Sequence, residues 1–316
     1  MQEEIKIDKI IPCLPAQHGF LVDSEAGNSN IYRQQITVLI DKSTGSDALE
    51  NNIRKIQKRC DILRTVFDWS TGKEVQVVLS GIPPRISCMS GNIENLHTKA
   101  TNELDRLDTI RDEPPVRFLI STIDDELYLT ITYHHILFDG PSIAILLDSI
   151  ISSSDRYLEE DSTSGYLKWL SSNISNHDKQ FWRNALSTLP KDDVDIFSGA
   201  RDSLTEHSVK RYLSKRTSSA LLKLARLYKV SLATLMQSIC SEWLVGYFNM
   251  PVMYGSVLST REFEVNYDHL GPFINTVPVH ISSSIASGSL RSTAMYMQKL
   301  AMDMHKAKHV PICDIT

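Results

Sequence analysis

Two rhythms of apolar and polar residues run along this chain, and both occur in each half of it. In GSDALENNIRKIQKRC (45–60), Leu49, Ile53, Ile56 and Cys60 recur at spacings of four, three and four, which predicts an amphipathic helix. Arg54, Lys55, Lys58 and Arg59 lie mostly off that stripe, on a face that is either solvated or available to an acidic partner. ILRTVFDW (62–69) and EVQVVLS (74–80) are β-branched and aromatic runs separated by STGK, which predicts a hairpin. VRFLIST (116–122) and ELYLTITYHH (126–135) flank IDD and predict a second one. After an Asp139-Gly140 turn, PSIAILLDSII (141–151) reads as a helix, with Pro141 suited to its first turn and Ser142 an alternative cap.

The polar stretch SSSDRYLEEDSTSG (152–165) is the expected boundary between two halves, 1–160 and 161–316. Beyond it the pattern predicts helices at 166–172 and 177–187, a loop at 188–206 and a strand at 208–214. Helices at 217–228 and 231–248, strands at 252–259 and 273–282, and a final helix at 290–308 follow. Strands and helices in both halves predict an α/β (α+β) layered fold, not a helical bundle or a β-sandwich.

Composition narrows the class a little further. With 42% hydrophobic and 22% charged residues the chain is expected to be an ordinary soluble globular protein. A net charge of −5 and the lack of a long basic block argue against a nucleic-acid partner. No apolar stretch is long enough to cross a bilayer, and MQEEIKIDKI lacks the apolar core of a signal peptide. The five cysteines (Cys13, Cys60, Cys88, Cys240, Cys313) form no CxxC pair, so the expectation is buried free thiols in a reducing cytoplasmic compartment.

The candidate chemistry sits in ITYHHILFDG (131–140). In an extended strand, Leu127, Leu129, Ile131, Tyr133 and His135 share one face, and Tyr128, Thr130, Thr132 and His134 share the other. His135 thus ends an apolar stripe, where the sheet is expected to open into a cleft, while His134 lies on the more polar face and suits a structural hydrogen bond. Adjacent strand residues face apart, so the pair is not expected to hold one metal ion. Asp139 reads either as a cap-like turn residue or as the buried partner of an arginine. Gly140 is expected to permit close backbone approach at the turn. No GxSxG elbow is present, which ranks a Ser-His-Asp hydrolase low.

HHILFDG fits the HHxxxDG pattern of condensation domains of nonribosomal peptide synthetases, members of the chloramphenicol-acetyltransferase-like superfamily. PCLPAQHGFLV (12–22) resembles the opening motif of that family, with a Pro-Cys start in the fungal manner. RCDILRTVF (59–67) resembles the segment written RHxxLRTxF, with Cys60 and Asp61 departing from it. QFWRNAL (180–186), YGSVLSTRE (254–262) and LGPFINTVPVHI (270–281) resemble later segments in the family's order. The family's DFGWG-type latch does not occur, so the expectation is a two-lobe fold whose second lobe is incomplete, truncated at its C-terminal end.

The resemblance implies peptide-bond formation between substrates tethered to phosphopantetheine arms of upstream and downstream carrier domains, beside an adenylation domain, with a siderophore or other small peptide as the product. It places the site in a tunnel where the lobes meet, makes His135 the catalytic residue, and pairs Asp139 with Arg64 to hold the turn. No cofactor of the domain's own is implied. Asn275 is a candidate tunnel-lining residue, with Ser259 and Arg261 weaker ones because such residues commonly finish a strand. Alternative readings are an epimerisation domain, an acyl-coenzyme A-dependent O- or N-acyltransferase of the same superfamily, and an inactive module that binds carrier domains.

Overall fold

The computed structural model describes residues 4–25, 32–107, 109–153, 162–187, 209–262 and 265–311. They divide into two compact units. The first comprises Met1–Asn173 with Ser259–Asn275, and the second comprises Ile174–Leu258 with Thr276–Thr316. The division thus falls after residue 173 and not at 160, and a later stretch of chain returns to the first unit. The physical reason is packing. Tyr166 and Leu170 are buried, and the Tyr166 ring meets the edge of the fully buried Phe273 ring at 5.2 Å, which holds the helix that follows residue 161 in the first unit.

The first unit opens with β1 (Lys6–Pro12), α1 (Pro15–Glu25) and β2 (Arg33–Ile40). It continues with α2 (Ser46–Arg59), β3 (Thr65–Asp68), β4 (Val75–Ser80), β5 (Ile86–Gly91) and α3 (Ile93–Asp105). β6 (Val116–Ile123), β7 (Glu126–His134), α4 (Gly140–Ser152) and α5 (Ser162–Asn173) complete it. Three strands form one sheet in the order β1-β4-β3, and four form another in the order β2-β7-β6-β5. In the second sheet only the β5–β6 pair is parallel; β6–β7 and β7–β2 are antiparallel.

Both expected hairpins are present. β6 and β7 pair from Val116↔Tyr133 to Ile123↔Glu126, closed by Asp124 and Asp125, whose φ values of 48° and 68° are those of a tight primed turn. The first hairpin, β3–β4, is shorter than its sequence run because residues 61–64 form a 3-10 turn before β3.

The two faces of β7 go to different helices. Leu127, Leu129 and Ile131 join Leu49, Ile53 and Ile56 of α2 and Ile143, Leu146 and Ile150 of α4 in the main core. The opposite face, read from sequence as the polar one, is covered by α3. Thr130, Thr132 and His134 are all buried there, and the two threonines bond across the sheet. Thr37 and Thr130 hydroxyls bond at 2.8 Å, and Gln35 Nε2 donates to Thr132 Oγ1 at 2.7 Å and to Ala100 O at 2.8 Å. β7 is therefore a central strand buried on both faces, which anchors its C-terminal end rigidly.

The second unit contains α6 (Asn176–Leu186), α7 (Lys215–Tyr228), α8 (Leu232–Phe248), β8 (Val252–Ser259), β9 (Ile274–Ile281), α9 (Ser283–Ala286) and α10 (Leu290–Lys306). β8 and β9 form a two-stranded sheet among the described residues. Its core joins Val277, Val279 and Ile281 of β9 to Met297 and Met304 of α10 and to Trp182, whose indole N–H donates to Ala307 O at 2.9 Å. Residues 209–214 are not the expected strand. They have no regular structure, and Ser214 instead caps α7 by accepting the Thr217 amide. The 188–206 loop lies outside the described residues.

Two of the cysteines also depart from expectation. Cys13 and Cys60 are buried, and burial pushes both thiols up to about 12, but Cys88 and Cys240 are exposed because each faces away from the core of its element. Cys313 is outside the described residues. No described helix is long and apolar enough to cross a membrane.

Leu129 sits at the middle of the two-sided strand with no exposure. Leu129→Ala should lower unfolding free energy by about 2–5 kcal/mol, read as a fall in the urea midpoint at constant slope.

Candidate active site

β7 ends at His134, and the chain turns at once. The amide of His134 donates to Pro115 O at 3.0 Å and that of His135 to Tyr32 O at 2.8 Å, so neighbouring strand ends hold both residues by their backbones. The His134 ring is buried, and its Nδ1 accepts the Ile136 amide at 3.1 Å. That bond requires a lone pair on Nδ1 and closes the turn from within. His134 thus makes a hydrogen bond within the turn, from the face of the strand that carries Thr130 and Thr132. His135 is partly exposed. Its ring stacks on Phe20 with centroids 5.5 Å apart and planes 22° apart. Its Nδ1 is buried and accepts or donates no hydrogen bond, which leaves Nε2 as the nitrogen open to a reactant.

Asp139 caps α4. Its Oδ1 accepts the Ser142 amide at 3.0 Å, and Pro141 occupies the first turn, where a missing N–H is no loss. Asp139 is the cap, and Ser142 has a different task. The Asp139 carboxylate is held in a two-point ion pair by Arg261, with Nη2 2.6 Å from Oδ1 and Nε 2.9 Å from Oδ2. Both side chains are nearly inaccessible, Arg261 at 5% and Asp139 at 2%. The remaining donors of Arg261 are spent on Asn266 O, Tyr267 O and His269 O at 2.7–3.0 Å. The Ser142 hydroxyl lies 2.7 Å from Asp139 Oδ1 and 2.8 Å from Gly271 O, and it accepts from Arg261 Nη2 and the Gly271 amide. With the Asp139 amide donating to Gly271 O at 3.3 Å, the returning segment is bolted to the histidine turn.

Arg64 is therefore not the partner of Asp139. Its guanidinium pairs with Asp61 at 2.7 Å and Asp8 at 3.3 Å and donates to Leu79 O, which ties β1, the 3-10 turn and β4 together. An adjacent carboxylate, Asp61, captures it where the chain turns into β3. Gly140 also departs from its expected role. It takes the first position of α4 without a positive φ, and a Cβ there would meet nothing within 4 Å. Ser259 is exposed, its hydroxyl accepting the Arg261 amide at 3.3 Å. Asn275 is buried on the face of β9 shared by Val277, Val279 and Ile281.

Two further residues fall on α1 and were not singled out from sequence. Gln17, fully buried, donates from Nε2 to Ile136 O and to Gln76 Oε1, both at 3.2 Å, and its Oε1 accepts the Leu14 amide. One turn later Phe20 carries the His135 ring and meets Tyr32 edge-on at 4.7 Å. Tyr32 donates to Asp23, and burial with that bond pushes its phenol up to about 12. The signal for both residues was the AQHGF run inside the opening motif. Among the described residues no group of three or more His, Cys, Asp or Glu side chains is arranged to hold a metal ion.

Removing one member of a buried ion pair strands the other. Arg261→Ala and Asp139→Ala should each cost about 3–5 kcal/mol and lower soluble yield. Arg261→Lys should recover little, since an ammonium cannot span both carboxylate oxygens. A double-mutant cycle by thermal melting should give a coupling of about 0.5–3 kcal/mol between Asp139 and Arg261, and none between Asp139 and Arg64.

Comparison with known proteins agrees with this architecture. Bacitracin synthase 3 of Bacillus licheniformis is 27% identical over 302 residues, covering 87% of this chain but 5% of the synthase. The hydroxamate-type ferrichrome siderophore peptide synthetase of Schizosaccharomyces pombe is 25% identical over 321 residues, covering 93% of this chain and 6% of that protein. The chain thus spans about a twentieth of these relatives, and bacterial and fungal proteins match it at the same level. The crystal structure of the X-domain from teicoplanin biosynthesis superposes with a TM-score of 0.81 at 19% identity, over all of this chain and 75% of that one. The model of the condensation domain family matches residues 7–316, and the chain belongs to that family.

Proposed function

We propose that this domain forms an amide bond between two carrier-tethered substrates in a multidomain peptide synthetase that also contains an adenylation domain. An acyl thioester on one phosphopantetheine arm is the donor, and the amine of a substrate on a second arm is the acceptor. The amine nitrogen attacks the thioester carbonyl, the C–S bond breaks, and the proton lost by nitrogen ends on the departing sulfur.

The observation that carries the reading is the environment of His135. One ring nitrogen is sealed against protein without a carboxylate partner, and the other is open. In a Ser-His-Asp triad the second N–H of the base histidine is held by a carboxylate, which stabilises the imidazolium. His135 has no such partner among the described residues. An α-amine has a pKa of about 7.7–8, so an appreciable fraction is already neutral near pH 7 and needs no strong base. His135 therefore acts through Nε2 as a fixed hydrogen-bond partner for the reacting groups, aligning the amine and stabilising charge that develops during attack. Its ring plane is set by Phe20, and its backbone by Tyr32 and by the Asp139–Arg261 pair.

The test supplies the chain with one carrier domain loaded with an acyl group and another loaded with an amino acid, and follows the acceptor by mass spectrometry. The acceptor should gain the donor's acyl mass, and His135→Ala should slow transfer by about 100-fold or more. His135→Gln places an amide nitrogen near the position of Nε2 but cannot take a proton, and should retain about tenfold more activity than the alanine variant. Transfer indifferent to His135→Ala would overturn the assignment, and a glutamine variant no better than alanine would return His135 to the role of base.

A further inference from the structure

The chain as a whole is acidic, with a net charge of −5, yet residues 209–241 contain no carboxylate. Lys210, Arg211, Lys215, Arg216, Lys223, Arg226 and Lys229 fall in that stretch, and all seven are exposed. None of them forms an ion pair among the described residues. The contrast with α2, the other basic helix, is physical. There Arg54 is bound to Glu50 at 2.6 Å, and Lys55 and Arg59 are engaged in interactions of their own.

The arrangement on α7 is also ordered. At about 100° per residue, Arg216 and Lys223 lie on the side opposite Ala225, the helix's buried residue, with Arg226 about 60–80° to one side of them. Leu222 and Leu227, at 44% and 70% exposure, flank these cations. In the segment leading into the helix, Tyr212 is 94% exposed between Arg211 and Leu213. A row of cations between bare apolar side chains is the composition of a protein-docking face, where charge steers the approach and apolar contact holds it. A surface meant only for solubility would carry carboxylates among the cations.

We propose that the basic face of α7, with the Lys210–Leu213 segment, docks the acidic surface of a carrier domain that delivers one of the two substrates. The choice of occupant rests on the function proposed above; the charge argument requires only that the occupant be anionic. Because the chain outside residues 209–241 is net negative, this unneutralised cationic face favours where an anionic partner lands and how fast.

The experiment compares the wild-type chain with Arg216→Glu/Lys223→Glu/Arg226→Glu and with a control, Lys55→Glu/Lys58→Glu on α2. Binding to the holo carrier domains of the condensation assay is read by fluorescence anisotropy, and far-UV circular dichroism checks the fold. The α7 triple variant should bind one of the carriers at least about tenfold more weakly, and the control should not. Wild-type affinity should fall steeply between about 50 and about 300 mM NaCl, and the triple variant's should not. Condensation from soluble pantetheine thioesters, which need no docking, should be equal in wild type and triple variant. Carrier binding unchanged by the triple substitution, or absent from the wild type, overturns the docking surface. So does tighter wild-type binding to a random DNA duplex or to phosphatidylserine vesicles than to either carrier. Failure of the wild type with soluble thioesters overturns the catalytic reading instead and leaves the binding comparison to decide the surface on its own.

Discussion

The ion pair between Asp139 and Arg261 is the contact on which the histidine turn depends. The two residues are 122 positions apart in sequence, and neither is accessible enough for water to replace the other. A buried carboxylate facing an apolar core is strongly disfavoured, so the turn adopts its shape only when segment 259–275 is in place to neutralise it. The three carbonyls that Arg261 also gathers make the relation mutual, because the loop from Asn266 to His269 is folded around the same guanidinium. Ser142 joins the two halves of this arrangement with a hydroxyl that has one proton to give and four neighbours to satisfy.

From the other side, α1 holds the same turn without charge. Gln17 reaches Ile136 O, and Phe20 lies flat against the His135 ring. The role proposed for His135 requires few conformations, and the residue is fixed at its backbone amide, at its ring face and through the cap that follows it. The rigidity comes ultimately from β7, which is paired on both edges and packed on both faces, so that its end cannot swing.

Electrostatics divides the surface in a way that net charge conceals. Arg54, Lys55 and Arg59 of α2 are engaged by nearby groups, and the cations around α7 are not. Two helices of similar basic content thus have opposite consequences, one contributing to local stability and the other leaving a field directed into solvent.

Much of the fold was legible in sequence because it rests on local periodicity. The β6–β7 hairpin, α2 with its Leu49, Ile53 and Ile56 stripe, and α4 behind Asp139 follow from alternation, helical spacing and capping chemistry, which act over a few residues. The placement of His134 in a buried position and of His135 in a partly exposed one followed from strand parity in the same way. Over its described residues, 209–214, the strand expected at 208–214 is absent, since it finds no neighbouring strand among the described residues to pair with. What sequence determined, then, was which side chains could do chemistry and which faces they occupy. Tertiary structure alone decided that Asp139 answers to Arg261 and not to Arg64, that Gln17 and Phe20 grip the turn, and that the Thr130 face of β7 is buried. Those outcomes depend on segments brought together from distant parts of the chain, where a charge pairs with whichever partner the fold delivers to it, and no local pattern records that choice.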